Sequence, residues 1–239
     1  GRESRPEDTL PVRAQLTPLV ASAESCRGSF VEHVLDHTTT VPGGDQVRNF
    51  EANGSGVAIN DLDNDGDLDI VLGNHAGRNT ILWNEGGLSF TSERMEVGDT
   101  RTVNIIDLDA DGWLDILLTR TGSAPNYWRN DGAAHLSGRG FVQVPLSNLG
   151  RPLYVTTWGD LDGDGDLDLV GATYDAALLD EFGVDFLMSG HAGAYYYQND
   201  GGGFSETRLS SGAQALTIIL VDLDKDGAQD VMVGRVGDV

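Results

Sequence analysis

Asp160-Leu161-Asp162-Gly163-Asp164-Gly165-Asp166-Leu167-Asp168 puts five carboxylates into nine residues, one at every second position. At such short range, that many like charges repel unless something neutralises them. The spacing says what does so. Alternate Asp residues with a Gly at the sixth place let the chain curl around a hard cation. An all-oxygen donor set suits Ca²⁺ far better than Zn²⁺ or Cu²⁺.

The stretch recurs. Asp61-Leu62-Asp63-Asn64-Asp65-Gly66-Asp67-Leu68-Asp69 comes first and Asp107-Leu108-Asp109-Ala110-Asp111-Gly112-Trp113-Leu114-Asp115 second. The Asp160 stretch is third, and Asp222-Leu223-Asp224-Lys225-Asp226-Gly227-Ala228-Gln229-Asp230 is fourth. Places 1, 3, 5 and 9 are Asp in all four loops, place 2 is Leu and place 6 is Gly. An EF-hand would need a bidentate Glu at place 12. That place holds Leu72, Leu118, Gly171 and Val233, none of which binds metal. The Gly-Gly-x-Gly-x-Asp pattern of calcium β-helices is absent, and a single cysteine, Cys26, rules out a paired-cysteine calcium repeat. The ligands expected are therefore the side chains at places 1, 3, 5 and 9. The backbone carbonyl at place 7 (Asp67, Trp113, Asp166 or Ala228) completes each set. The Leu at place 2 turns away from the ion and anchors the loop in apolar packing.

Short apolar and β-branched runs flank every loop. Gly56–Ile59, Val103–Ile106, Tyr154–Trp158 and Thr217–Val221 precede it, and Ile70–Gly73, Ile116–Thr119, Leu169–Gly171 and Val231–Gly234 follow. Their length and composition predict buried strands, so each loop is the link of a β-hairpin. A third strand follows at Thr80–Trp83, Asn126–Arg129 and Tyr195–Gln198. It closes in Asn84-Glu85-Gly86, Asn130-Asp131-Gly132 or Asn199-Asp200-Gly201, residues that accept hairpin turns. A fourth strand opens at Phe90, Phe141 or Phe204. Four strands repeating every 45–60 residues or so form the pattern of a β-propeller blade.

This unit resembles the FG-GAP/VCBS repeat, the blade of integrin α-subunit propellers and of many secreted proteins. Residues 79–90, Asn-Thr-Ile-Leu-Trp-Asn-Glu-Gly-Gly-Leu-Ser-Phe, resemble in particular the cartilage-acidic-protein/UnbV-like branch. The resemblance covers residues 30–239. It implies an all-β propeller, usually of seven blades, with calcium loops at one face. The fourth unit stops after two strands, which gives about 3.5 blades. The remaining blades are expected from the same or another chain, and two half-rings pairing as a dimer is the alternative.

The rest of the chain adds less. Residues 1–29 lack periodicity and are expected to be a tail or linker. Phe30–Leu35 alternates and predicts a further strand, and Thr38–Gly54 predicts a loop. The third unit carries an insertion, Thr173 to Ala194, in which Asp175 caps a helix running to Phe182. That insertion either packs on its own blade or contacts a partner. A smaller insertion spans Ala133–Gly140. Asn53-Gly54-Ser55 is a formal glycosylation sequon.

Net charge is −23 in 239 residues, which disfavours nucleic acid and anionic membrane as partners. Four Ca²⁺ would add eight positive charges to that −23 and leave about −15. No run reaches the ~18 apolar residues of a membrane span. The absence of an initial Met suggests a removed leader, and open acidic loops suit the millimolar calcium outside cells. The expected location is extracellular, periplasmic or at the cell surface. No catalytic set emerges. The histidines at 33, 37, 75, 135 and 191 show no metalloprotease spacing, and there is no nucleophile elbow or phosphate loop. His75 and His191 both fall in loops after second strands, and the Tyr195-Tyr196-Tyr197 run is expected to pack between blades. The sequence thus points to a calcium-stabilised, non-enzymatic module for a protein or glycan partner. The alternatives are a propeller domain of a secreted carbohydrate-active enzyme and a structural subunit of a surface assembly.

Overall fold

The computed structural model describes residues 31–41, 55–95, 98–132, 139–173, 193–201, 203–211 and 215–235. A division falls between Leu35 and Asp36, and the fold below is that of the second unit. The tail to residue 29, Cys26, the Asn53 sequon, His135, His191 and the expected Asp175–Phe182 helix lie outside the described residues.

Fourteen strands are described, in four antiparallel sheets joined in simple order. The first sheet holds β1 (Val57–Asn60), β2 (Asp69–Leu72), β3 (Thr80–Asn84) and β4 (Phe90–Arg94). The second holds β5 (Thr100–Ile106), β6 (Asp115–Arg120), β7 (Asn126–Asn130) and β8 (Phe141–Val144). The third holds β9 (Val155–Gly159), β10 (Asp168–Thr173), β11 (Gly193–Asn199) and β12 (Phe204–Ser211). The last has β13 (Ala215–Val221) and β14 (Asp230–Arg235). Every acidic loop joins the first strand of a sheet to the second, and each fourth strand begins at the expected phenylalanine. These are sheets of the propeller-blade type, and no closed ring is formed among the described residues.

The apolar runs are unbroken because the middle sheets are covered on both sides. In β6, Ile116 and Leu118 face the first sheet, where they meet Leu62, Val71, Ile81 and Trp83. Leu117 lies between them and points the other way, to Leu169, Tyr195, Tyr197 and Phe204 of the third sheet. In β10, Leu169 faces the second sheet, while Val170 and Ala172 face Ala215 and Ile218 of the last. Period-two alternation thus serves two cores rather than one core and water. Tyr195 and Tyr197 are fully buried, which is the packing role expected for that run.

Two expectations need correction. Residues 31–35 form no strand: they carry no regular structure, and Val31 and Val34 are 76% and 91% exposed. Alternation alone does not make a strand; it needs a paired edge. The Leu at place 2 anchors only where a following sheet covers it. Leu62 and Leu108 are buried and Leu161 packs on the third core, but Leu223 is 59% exposed beside a two-stranded sheet.

The segment before the first sheet also has a role the sequence did not announce. His37 Nδ1 lies 2.9 Å from Thr80 Oγ1, and the Thr40 amide donates to Asn74 Oδ1 at 3.0 Å. Thus part of the stretch expected as loop is tied to the first sheet.

β1 lies against β5, and β9 against β13. At the first of these contacts a methyl on Gly56 would come within 2.7 Å of the Thr102 backbone carbons. Gly56→Ala is therefore expected to cost about 1–3 kcal/mol in urea unfolding, as backbone cannot yield to the intrusion. An unchanged midpoint would show that the two sheets are not in such close register.

Candidate metal centres

Each loop is shaped by its own carboxylates. Asp61 Oδ1 accepts from the Asp65 amide at 3.1 Å and Oδ2 from the Gly66 amide at 3.0 Å. Asp107 repeats this with Asp111 and Gly112 at 3.1 and 3.0 Å, and Asp222 with Asp226 and Gly227 at 3.2 and 3.1 Å. In the third loop Asp160 accepts from Gly163 at 2.8 Å and Gly165 at 3.1 Å. Place 6 must be Gly because its φ is +96°, +89°, +97° and +93° at Gly66, Gly112, Gly165 and Gly227, a region L-residues rarely adopt. Place 4 is left-handed as well, at Asn64, Ala110, Gly163 and Lys225. Ala and Lys there carry no sequence signal for it.

The four expected side-chain ligands do not play equal parts. Oxygens of places 1, 3 and 9 converge in every loop, all within 4.8 Å of one another. The sets are Asp61, Asp63, Asp69; Asp107, Asp109, Asp115; Asp160, Asp162, Asp168; and Asp222, Asp224, Asp230. Place 5 stands outside this set. Oδ1 of Asp65, Asp111, Asp164 and Asp226 instead accepts the amide at place 7, from Asp67, Trp113, Asp166 and Ala228, at 2.9, 2.8, 2.9 and 2.8 Å. That bond turns the loop back and leaves the place 5 Oδ2 and the place 7 carbonyl as further donors to an ion.

Place 9 is also a structural anchor. Asp69, Asp115 and Asp168 have no exposed surface, whereas Asp230 is exposed. Asp115 Oδ2 accepts from the Leu108 amide at 3.0 Å and the Tyr127 hydroxyl at 2.8 Å, and Oδ1 accepts from the Asn130 amide at 2.7 Å. Asp168 is held alike by Leu161, Tyr196 and Asn199 at 2.9, 3.0 and 2.9 Å. Asp69 is held by Leu62 and Asn84 at 2.9 and 2.8 Å. Burial pushes the Asp115 carboxyl up to about 6, against the pull of its donors. Asp69 is raised for the same reason, and Asp109 by burial and then by the like charge of Asp111. Without a counter-cation these sites resist full ionisation.

The Asn that opens each turn does more than form it: Asn130 and Asn199 also tie neighbouring sheets together. Asn130 Nδ2 donates to Leu114 O in its own sheet at 3.1 Å and to Leu62 O in the preceding loop at 2.9 Å. Asn199 Nδ2 reaches Leu167 O at 3.3 Å and Leu108 O at 3.5 Å. The available signal was its recurrence at the head of an Asn-[Asp/Glu]-Gly turn after each of the first three loops. The Tyr127 and Tyr196 hydroxyls on place 9 were missed too, because nothing in the sequence pairs a third-strand Tyr with a loop Asp.

The donor set fits Ca²⁺. It is all oxygen, and Asp63 Oδ1 is a buried carboxylate oxygen with no hydrogen-bond partner, a costly state unless a cation completes it.

Residues 61–118 and 107–171 each match the family model described as an FG-GAP-like repeat. No curated protein matches the chain. Among solved structures, an Agrocybe aegerita lectin described as specifically recognising non-reducing terminal N-acetylglucosamine is similar over 75% of this chain and 47% of its own, at 19% identity and a TM-score of 0.48. The chain thus spans about half the length of that lectin. The finer resemblance to the cartilage-acidic-protein/UnbV-like branch finds no support in these matches. Residues 61–171 thus carry two overlapping matches to the FG-GAP-like repeat, on four-stranded antiparallel sheets of the propeller-blade type.

Proposed function

We propose that the chain is a calcium-stabilised, non-enzymatic interaction module that works outside the cytosol and offers rigid blades and their loops to a protein or glycan partner. The observation that carries this reading is the convergence of three carboxylates within 4.8 Å in all four loops. One such cluster is a common surface accident; four at the same place in successive sheets are a built feature. Bound Ca²⁺ would offset the repulsion among the carboxylates at places 1, 3 and 9. The chain's own residues do the rest: place 6 bends the loop, and place 9 fixes it to the sheet.

Weak, acidic, oxygen-only sites fill at millimolar calcium, which supports an extracellular, periplasmic or cell-surface setting. No helix among the described residues is long and apolar enough to cross a membrane. Among the described residues β14 has one neighbour only. We read its open edge as the place where strands from the same polypeptide or another chain complete the sheet.

Native mass spectrometry of the chain in calcium is expected to show four bound ions, lost on chelation. No uptake at millimolar calcium would overturn the reading. Turnover of an acidic glycan in an activity screen, gained with calcium, would replace the non-enzymatic part with a carbohydrate-active enzyme.

A further inference from the structure

We propose that Arg139 is an internal counter-cation for the first loop, making that loop the weaker calcium site and the one whose fold depends least on the ion. The inference rests on the reading of the loops as calcium sites.

Arg139 stands just ahead of β8 in the second sheet, but its side chain crosses to the first. Its Nε donates to Asp63 Oδ2 at 2.7 Å and its Nη1 to Glu85 Oε1 at 2.7 Å. Its guanidinium carbon sits 4.8 Å from the centre of the Trp83 ring. Trp83 in turn stacks on Phe141, with ring centres 6.2 Å apart. The cation is thus held between two carboxylates and an aromatic face, a setting that suits a planar, weakly hydrated guanidinium. The pair is poorly screened, since the side chains of Arg139 and Asp63 are 23% and 3% exposed.

Asp63 is place 3 of the first loop, one of its three convergent ligands. Arg139 takes one of its oxygens, and the other, Oδ1, is left without a partner. A divalent ion bound to that second oxygen would share the carboxylate with a fixed positive charge and be repelled by it.

Among the described residues the other loops lack this arrangement. Phe204 opens β12 as Phe141 opens β8, but the residue two places earlier is Gly202 rather than Arg. At that interface Asp109, place 3 of the second loop, lines a cavity of about 320 Å³ with Arg129 and Asp166. Among the described residues no basic side chain is in ion-pair contact with Asp109. In the third loop Asp162 receives a neutral donor, Gln198 Nε2, at 2.5 Å.

The test is a calcium titration of the full chain followed by NMR at the Gly66 and Gly112 amides, which donate to Asp61 and Asp107 and so report the first and second loops separately. In the native protein Gly66 is expected to saturate at higher calcium than Gly112. Arg139→Gln should lower the Gly66 midpoint on the order of tenfold, the scale of removing one unit charge from beside a divalent ion in a partly screened site. The Gly112 midpoint should stay in place. Arg139→Lys retains the charge and should keep the high midpoint. The melting temperature of Arg139→Gln should fall more in chelator than in saturating calcium. If that variant does not fold without calcium, the same midpoints are read downward from the loaded state by chelator competition. A Gly66 midpoint unchanged or raised in Arg139→Gln overturns the proposal, because Arg139 then merely braces Asp63. If neither glycine of the native protein responds to calcium, the calcium reading itself fails and takes this inference with it.

Discussion

Truncating Asp115 to alanine is expected to cost about 3–5 kcal/mol of stability, enough to leave the protein largely unfolded at modest urea. The side chain has no exposed surface and accepts from the Leu108 and Asn130 amides and the Tyr127 hydroxyl. Alanine strands these three donors inside the protein, each at a cost of roughly 1–3 kcal/mol less what relaxation recovers, and it leaves a cavity between strands. Asp111→Ala is the contrasting variant. Its carboxylate is exposed and makes only the local turn bond to the Trp113 amide. In chelator it should cost about 1 kcal/mol or less. Urea midpoints of both variants in chelator make the comparison. Equal losses would show that place 9 serves the ion alone and not the fold.

Calcium is expected to reverse the pH dependence of stability. In the ion-free protein the Asp115 carboxyl lies at about 6, chiefly through burial, and Asp69 and Asp109 are raised as well. An unfolded Asp titrates near 4. The folded state therefore holds a proton that the unfolded state releases between those values. The stability this confers is fully present below about pH 4 and is lost as pH rises through about 6. Asp115 alone accounts for roughly 2–3 kcal/mol across that window. Bound Ca²⁺ favours the carboxylates and inverts the sign, so stability rises over the same window. Glu206, held down by its bond from Arg151, pulls toward higher pH in both states, so the informative quantity is the difference between them. Thermal melts at several pH values, ion-free and in calcium, should give slopes of opposite sign. Calcium should also raise the melting temperature most at pH 7. Parallel slopes would mean that the buried carboxylates titrate without regard to the ion.

Much of the fold was legible because two periods were written over each other. The alternating Asp residues fix each loop, and the apolar runs on either side fix two strands. That placed every hairpin of the four sheets within three residues, and Phe90, Phe141 and Phe204 marked the fourth strands directly. The Phe30–Leu35 strand failed because alternation is a local signal, whereas pairing depends on a distant edge. The candidate site was legible as composition but not as a division of labour. Identical Asp residues at places 5 and 9 differ only in what surrounds them, a turn amide for Asp65 and a buried sheet junction for Asp69. The link from Arg139 to Asp63 joins residues 76 apart, and no pattern within one repeat announces it.

The double reach of Asn130 and Asn199 bears on how such a chain is copied and recombined. A segment cut from one acidic loop to the next leaves behind the amide that steadies its Leu carbonyl, because that amide belongs to the following segment. Duplicated or grafted pieces that begin at one loop and end beyond the Asn-Asp-Gly that follows the next loop would carry their clasp with them. Pieces trimmed at the strand boundaries alone would arrive unfastened, so the heritable module is longer than the visible sheet by most of a blade.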